Sequence, residues 1–338
     1  MIHSFIAAGL LALAQAATPA DPQPDSTDMQ PVASAITRLM RDHHYNPDEL
    51  DAPAYQAVEA AMLELGTEAS NRADFLSGFH AIWADAPFSH VNLSEARGTA
   101  EQMAAHVDTL RIGGGGATLN WQGETAILTV TTMMGQDTIE EIQAAYAEIA
   151  ARGAEALVID LRENGGGAFA VLPLVRHVLA EPLEAGIFVS QPWSAAHDRT
   201  PTAADIAGIP SWEGWSLRSF WHAVRINALT PIRFDPVSEH RYDGPVYVLI
   251  SETTASAAEM AADALKASGR ATLIGEQTAG EMLSQTVFDL PEGLQLWLPI
   301  ADYYSVAHGR IEGIGVTPDI RVEADQADDV AFDLINDG

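Results

Sequence analysis

The chain has 338 residues and carries 47 acidic against 17 basic side chains, a formal charge of −30. That balance argues against nucleic acid and anionic membrane surfaces as partners. Cysteine is absent, which excludes disulfides, thiolate metal sites, a cysteine nucleophile and a cysteine-borne lipid anchor.

The first sixteen residues, MIHSFIAAGLLALAQA, hold a short apolar run, Phe5 to Ala14, ending in Ala14-Gln15-Ala16. A run this short does not anchor a bilayer span, and the small-x-small ending fits a signal-peptidase site. Residues 1–16 therefore read as a cleaved export signal, which sends the mature protein to the periplasm or outside the cell. No other apolar run reaches membrane length, so no membrane span is expected. Residues 17–30, rich in proline and aspartate, read as a disordered leader.

From 31 to 88 the pattern is helical. VASAITRLMRDHHY, APAYQAVEAAMLELG and NRADFLSGFHAIW each space apolar residues three and four apart, predicting a small helical N-terminal domain. After FSHVNL the character changes, and residues 89–325 read as one core. TAILTV, ALVIDL, PVYVLI and ATLIGE predict short strands that are apolar on both faces. TIEEIQAAYAEIAARG and AFAVLPLVRHVLAE predict helices between them. The fold class is α/β, a sheet covered by helices. Residues 190–240, rich in Trp and Pro, read as an irregular excursion with one helix, either a surface loop or a lid beside a site. Trp193, Trp212, Trp215 and Trp221 either pin that stretch to the core or line a pocket. Residues 326–338 read as an acidic C-terminal tail.

Two stretches invite a chemical reading. In ALVIDLRENGGGAFAVL a buried strand ends at a run of three glycines, Gly165 to Gly167, before a helix. Such a turn either packs tightly with no ligand or presents free amides to an oxygen anion. In SETTASAAEM, Ser256 and Glu259 have the spacing of a capping box, so Ser256 reads first as a helix cap. A serine between strand and helix, beside the Ala257 amide, is also well placed for attack with oxyanion support. The Gly-x-Ser-x-Gly elbow is absent, since Thr254 and Ala258 occupy its glycine positions. No His-Glu-x-x-His occurs, and neither metal nor cofactor is expected.

Taken in order, ALVIDLRENGGG, VYVLISETTASAAEMAADAL, ATLIGEQTAG and EGIGVTPDI resemble four motifs of the C-terminal-processing and tricorn-type serine peptidases, a family that also includes interphotoreceptor retinoid-binding protein. The resemblance implies a crotonase-like core of ββα units and Ser256 as the peptidase nucleophile. One branch of the family uses a lysine base about two dozen residues after the serine, where this chain has Glu281. The chain's only lysine, Lys266, lies ten residues beyond Ser256 on the same predicted helix. That places it ~15 Å away, outside hydrogen-bond reach. The tricorn-type branch implies instead His90 as general base, Ser89 orienting it, and Glu312 polarising Ser89, the triad logic with one hydroxyl inserted. The amides of Gly165 or Gly166 and of Ala257 would then form the oxyanion hole. Only 31 residues separate HVNL from TAILTV, too few for the peptide-binding module that other members carry there. The expected partner is a peptide or unfolded protein; oligomeric state is not legible. A binding protein for an apolar ligand on the same fold is the main alternative, and a thioester-directed enzyme a remoter one.

Overall fold

A computed structural model describes residues 28–84, 86 and 89–337 of the protein. The expected signal and the leader through residue 27 lie outside them. Three helices, Gln30–His43, Pro53–Glu68 and Arg72–Trp83, carry the helical periodicity of the N-terminal part. The first begins before Pro31 and buries the neighbouring Met29 completely. Asn71 caps the third helix by accepting from the Asp74 amide at 3.0 Å, the role its short polar side chain favours.

The remaining chain builds two sheets. The strands are β1 (Asn92–Glu95), β2 (Ala117–Gln122), β3 (Thr125–Val130), β4 (Ala156–Asp160), β5 (Leu183–Ser190), β6 (Leu229–Phe234), β7 (Val246–Ile250), β8 (Ala271–Gly275), β9 (Ser284–Leu290), β10 (Leu294–Ser305), β11 (Gly309–Arg310) and β12 (Ile320–Arg321). One sheet runs β12-β8-β7-β4-β3-β2, parallel except for the β2–β3 hairpin. β2, β3 and the helix Gln136–Arg152 leading to β4 make one ββα unit. The other sheet is antiparallel and centres on the long β10, with β1, β9, β5 and β11 paired to it and β6 beyond β5.

The parallel strands are apolar on both faces because helices cover both. Leu157, Ile159, Val248 and Ile250 join a core that includes Ala258, Ala261 and Leu265 of the helix Ala257–Ala267. Val158, Leu249 and Ile274 point the other way, against Ala327 and Ala331. Those two belong to the helix Ala327–Asp337, so residues expected as an acidic tail form a covering helix instead. The signal was in the sequence: Ala327, Val330, Ala331, Leu334 and Ile335 fall on one helical stripe, and all pack in this second cluster.

Two other expectations change. The helix read in AFAVLPLVRHVLAE is confined to Val171–Arg176. The 190–240 stretch contains three short helices, Gln191–Ser194, Ala203–Ile206 and Leu217–Ile226, and the strand β6. β6 exists because β5 supplies its backbone partners, from Val189 opposite Leu229 to Leu183 opposite Phe234. Between β1 and β2 there is one helix, Ala100–Thr109, and a glycine run. The amides of Gly113 and Gly114 are tied to Asp137, and that of Gly115 to Glu141.

Candidate active site

Ser256 sits where the parallel strand β7 hands over to the helix Ala257–Ala267. The turn before it is stitched to the glycine-bearing loop after β4. Thr254 Oγ1 donates to Leu161 O at 2.9 Å, Ser251 Oγ to Arg162 O at 2.5 Å, and the Ala255 amide to Asn164 O at 3.0 Å. Asn164 is fully buried; its Nδ2 donates to Val130 O and its Oδ1 accepts from the Gly166 amide, both at 2.9 Å. A side chain at Gly166 would bring a Cβ within 2.6 Å of Ser256 Cβ, so glycine is needed for this approach.

The helix-cap reading of Ser256 accounts for only part of what is seen. Glu259 reaches back to accept from the Ser256 amide at 2.9 Å. Yet Ser256 has φ 55° and ψ −122°, not the extended backbone of an ordinary N-cap. A non-glycine residue in that region stores strain on the order of 1–3 kcal/mol, which the surrounding bonds must hold in place. The side chain borders a cavity of about 580 Å³ together with Ala257, Gly167 and Met282.

The other implied site residues come from the antiparallel sheet. Ser89 and His90 precede β1, which pairs with the first half of β10, while Glu312 follows β11, paired with its end. His90 has φ 62°, a left-handed turn position for which histidine is among the better-suited non-glycine residues. Ser89 Oγ donates to Glu312 Oε1 at 2.7 Å and lies 2.8 Å from His90 Nδ1. Glu312 is buried, and its second oxygen accepts from the Met282 amide at 2.6 Å. Burial lowers the His90 imidazole below its ordinary value, and the Glu312 and Glu281 carboxylates offset that only in part.

The two halves meet through the segment that joins β8 of one sheet to β9 of the other. Glu259, fully buried, accepts from Thr278 Oγ1 at 2.5 Å, Gly280 N at 2.8 Å and Glu281 N at 2.9 Å, besides the Ser256 amide. One residue further on, Met282 N donates to Glu312. A short stretch of backbone is thus gripped by a carboxylate beside Ser256 and by a carboxylate behind His90. Burial pushes the Glu259 carboxyl up to about 7 against the pull of its four donors.

Direct bonds bring together Ser89, His90 and Glu312; Ser256 is linked to them through residues 278–282 and not by a hydrogen bond to His90. Of the amides expected at the oxyanion hole, that of Gly166 is already spent on Asn164, and Ala257 opens the helix that follows Ser256. Lys266 lies at the far end of the Ser256 helix, where its Nζ donates to Thr317 O at 2.7 Å and pairs with Asp319 at 3.0 Å. Trp212, Trp215 and Trp221 line the cavity. Trp193 does not: it stacks on His197 at 3.8 Å and packs with Ile187, Val189 and Leu229, which fixes it on the opposite side of β5. Sequence reading overlooked Asn164 and the bridging role of Glu259. Among the described residues no group of three His, Asp or Glu side chains is arranged to hold a metal ion, and no helix is long and apolar enough to cross a membrane.

Known proteins resemble this chain at both levels. The "Carboxyl-terminal-processing protease" of a Picosynechococcus species is 30% identical over 179 residues, 53% of this chain and 34% of that protein. The match therefore spans about a third of that relative's length. The solved photosystem II D1 C-terminal processing protease superposes with a TM-score of 0.56 at 17% identity, covering 88% of this chain and 94% of that one. A lipoprotein from Streptococcus agalactiae does so with a TM-score of 0.59 at 13% identity, covering 94% and 99%. At such identities the likeness is one of fold. The model of peptidase family S41 matches residues 124–322, the span that carries Ser256, Glu259 and Glu312, and the chain belongs to that family.

Proposed function

We propose that the protein is a serine peptidase that cleaves peptides or unfolded segments through an acyl-enzyme. Ser256 Oγ attacks the scissile carbonyl, and His90 takes its proton and later returns it to the leaving amine. Ser89, polarised by Glu312, holds the imidazole in one orientation and stabilises its charged form. The oxyanion forms against the amides of Ala257 and Gly165. The observation that carries this reading is the continuous chain from the Glu312 carboxylate through the Ser89 hydroxyl, 2.7 Å away, to His90 Nδ1 at 2.8 Å. A lowered imidazole supports it too, since a neutral ring is the competent base. The missing bond from His90 to Ser256 fits a free enzyme in which catalytic contacts tighten only with substrate bound.

Export through residues 1–16 would place this activity outside the cytoplasm, and a secreted product beginning at Ala17 would establish it. The test of the chemistry is direct. Unaltered protein should hydrolyse casein or a peptide library and be labelled by a fluorophosphonate at Ser256. Ser256→Ala and His90→Ala should each lower the rate by about three orders of magnitude or more while the fold survives. Labelling at another residue, or hydrolysis that persists in Ser256→Ala, would refute the assignment. The cavity of about 580 Å³, walled by Trp212, Trp215, Trp221 and Phe220, keeps a second reading alive, a non-catalytic binder of an apolar ligand. That reading gains if unaltered protein turns over no peptide.

A further inference from the structure

The cavity beside Ser256 is mostly apolar, but two cations lie on its wall, Arg176 and Arg233. Many arginines are matched to carboxylates, among them Arg162 with Asp160 and Asp328, Arg310 with Asp302, and Arg233 with Glu184 and Asp235. With 47 acidic side chains available, such pairing is easily met. Arg176 differs from these, and from the likewise part-buried Arg270, whose Nε and Nη2 donate to the carbonyls of Val178, Tyr242 and Gly244. Arg176 ends the short helix Val171–Arg176 that follows the Gly165–Gly167 turn, and it is partly buried. Its Nε donates to Asp235 O at 2.7 Å, which fixes the guanidinium against the wall. No carboxylate among the described residues pairs with it. Two carboxylates share the cavity, and neither serves: Asp235 is taken by Arg233, and Glu213 makes no ion pair with Arg176.

A guanidinium pinned by its Nε presents its two Nη groups as a fork, the geometry that fits a carboxylate with two parallel bonds. A half-buried charge left without a partner is costly, which favours an anion that arrives with the ligand. The apolar rings accept the rest of a peptide. Resting on the peptidase reading of Ser256, we propose that Arg176 determines specificity by binding a carboxylate of the substrate within the Ser256 cavity. That carboxylate is either the peptide's free C-terminus or an aspartate or glutamate side chain, since both offer the same fork.

The experiment separates these sources and does not depend on turnover. Short alanine- and leucine-rich peptides are made as the free acid and as the C-terminal amide. A second pair, both amidated, carries one glutamate or one glutamine. Binding to Ser256→Ala is read from tryptophan fluorescence, since Trp212, Trp215 and Trp221 line the cavity; kcat/KM is read on the unaltered enzyme. In at least one pair the carboxylate form should bind about tenfold more tightly or better, as expected for a bond between charged groups. Arg176→Gln should abolish that preference while leaving neutral peptides bound as before. Arg176→Lys, which keeps the charge without the fork, should retain part of it. Equal binding within both pairs, or a preference that survives in Arg176→Gln, would overturn the proposal. Carboxylate preference without any hydrolysis would instead sink the peptidase reading and leave Arg176 as a ligand-selecting residue.

Discussion

His90 shows at the level of one residue how the fold sets chemistry. Its ring is held below its ordinary value of 6.5 by burial, against the raising influence of Glu312 first and Glu281 second. A base with a lowered value stays neutral, and therefore competent, further into the acid range. Activity should hold as pH falls through 6.5 and decline only below the lowered value. The sign for a variant follows from the same balance. Glu312→Gln removes a negative charge that favours the imidazolium, so the acid limb of kcat/KM should move to lower pH. The same change should cut the plateau rate, because Ser89 loses a charged acceptor. A limb that moves to higher pH in Glu312→Gln would show that another group titrates there. Sequence alone could not supply this balance, since Ser89 and Glu312 are 223 residues apart and meet only because β1 and β11 share β10.

Among elements, the helix Ala257–Ala267 and the 278–282 segment form the part on which Ser256 depends. Glu259 satisfies four donors with two oxygens, and a glutamine cannot: its amide nitrogen would face two of those N–H or O–H groups. Glu259→Gln should therefore cost about 2–4 kcal/mol in urea unfolding at neutral pH, together with most of the activity. Lys266→Met on the same helix is the control. Its pair with Asp319 is partly exposed, so the change should cost less than about 1 kcal/mol and leave hydrolysis intact. Hydrolysis lost in Lys266→Met would revive a lysine base. What the sequence revealed follows the same division. The strands β3, β4, β7 and β8 were readable because continuous apolar runs of about that length are local signals. The capping box pointed to Glu259 as a helix-end residue, but its reach to Gly280 and Glu281 is tertiary. β5, β9 and β10 went unread, since their pairing joins distant segments and neither periodicity nor turn residues announce it. The covering helix Ala327–Asp337 was missed for a different reason: its acidic first turn hid an apolar stripe that was there to be counted.

For the whole molecule the dominant fact is the charge of −30. Folding gathers those charges into a smaller volume, so self-repulsion opposes the native state. Salt acts on two terms of opposite sign. It screens the repulsion, which stabilises, and it weakens exposed ion pairs such as Arg111–Glu140 and Arg218–Glu101, which destabilises. Each exposed pair contributes only about 0–1 kcal/mol, so its screening removes little. The repulsion is long-ranged, and a Debye length of about 10 Å at 0.1 M shrinking to about 3 Å at 1 M removes most of it. Repulsion should win. Between low salt and 1 M NaCl the unfolding temperature should rise by about a degree or more, since at roughly 2.1 cal/mol/K of unfolding entropy per residue about 1 kcal/mol corresponds to roughly 1–2 °C for a chain of 338 residues. The half-buried Arg162–Asp160 pair, bonded also to Asp328, keeps its geometry through that change because it is screened least. An unfolding temperature that falls with added NaCl would mean that the surface pairs form a cooperative network, and that the excess acid is already neutralised in pairs rather than spread as a repulsive field.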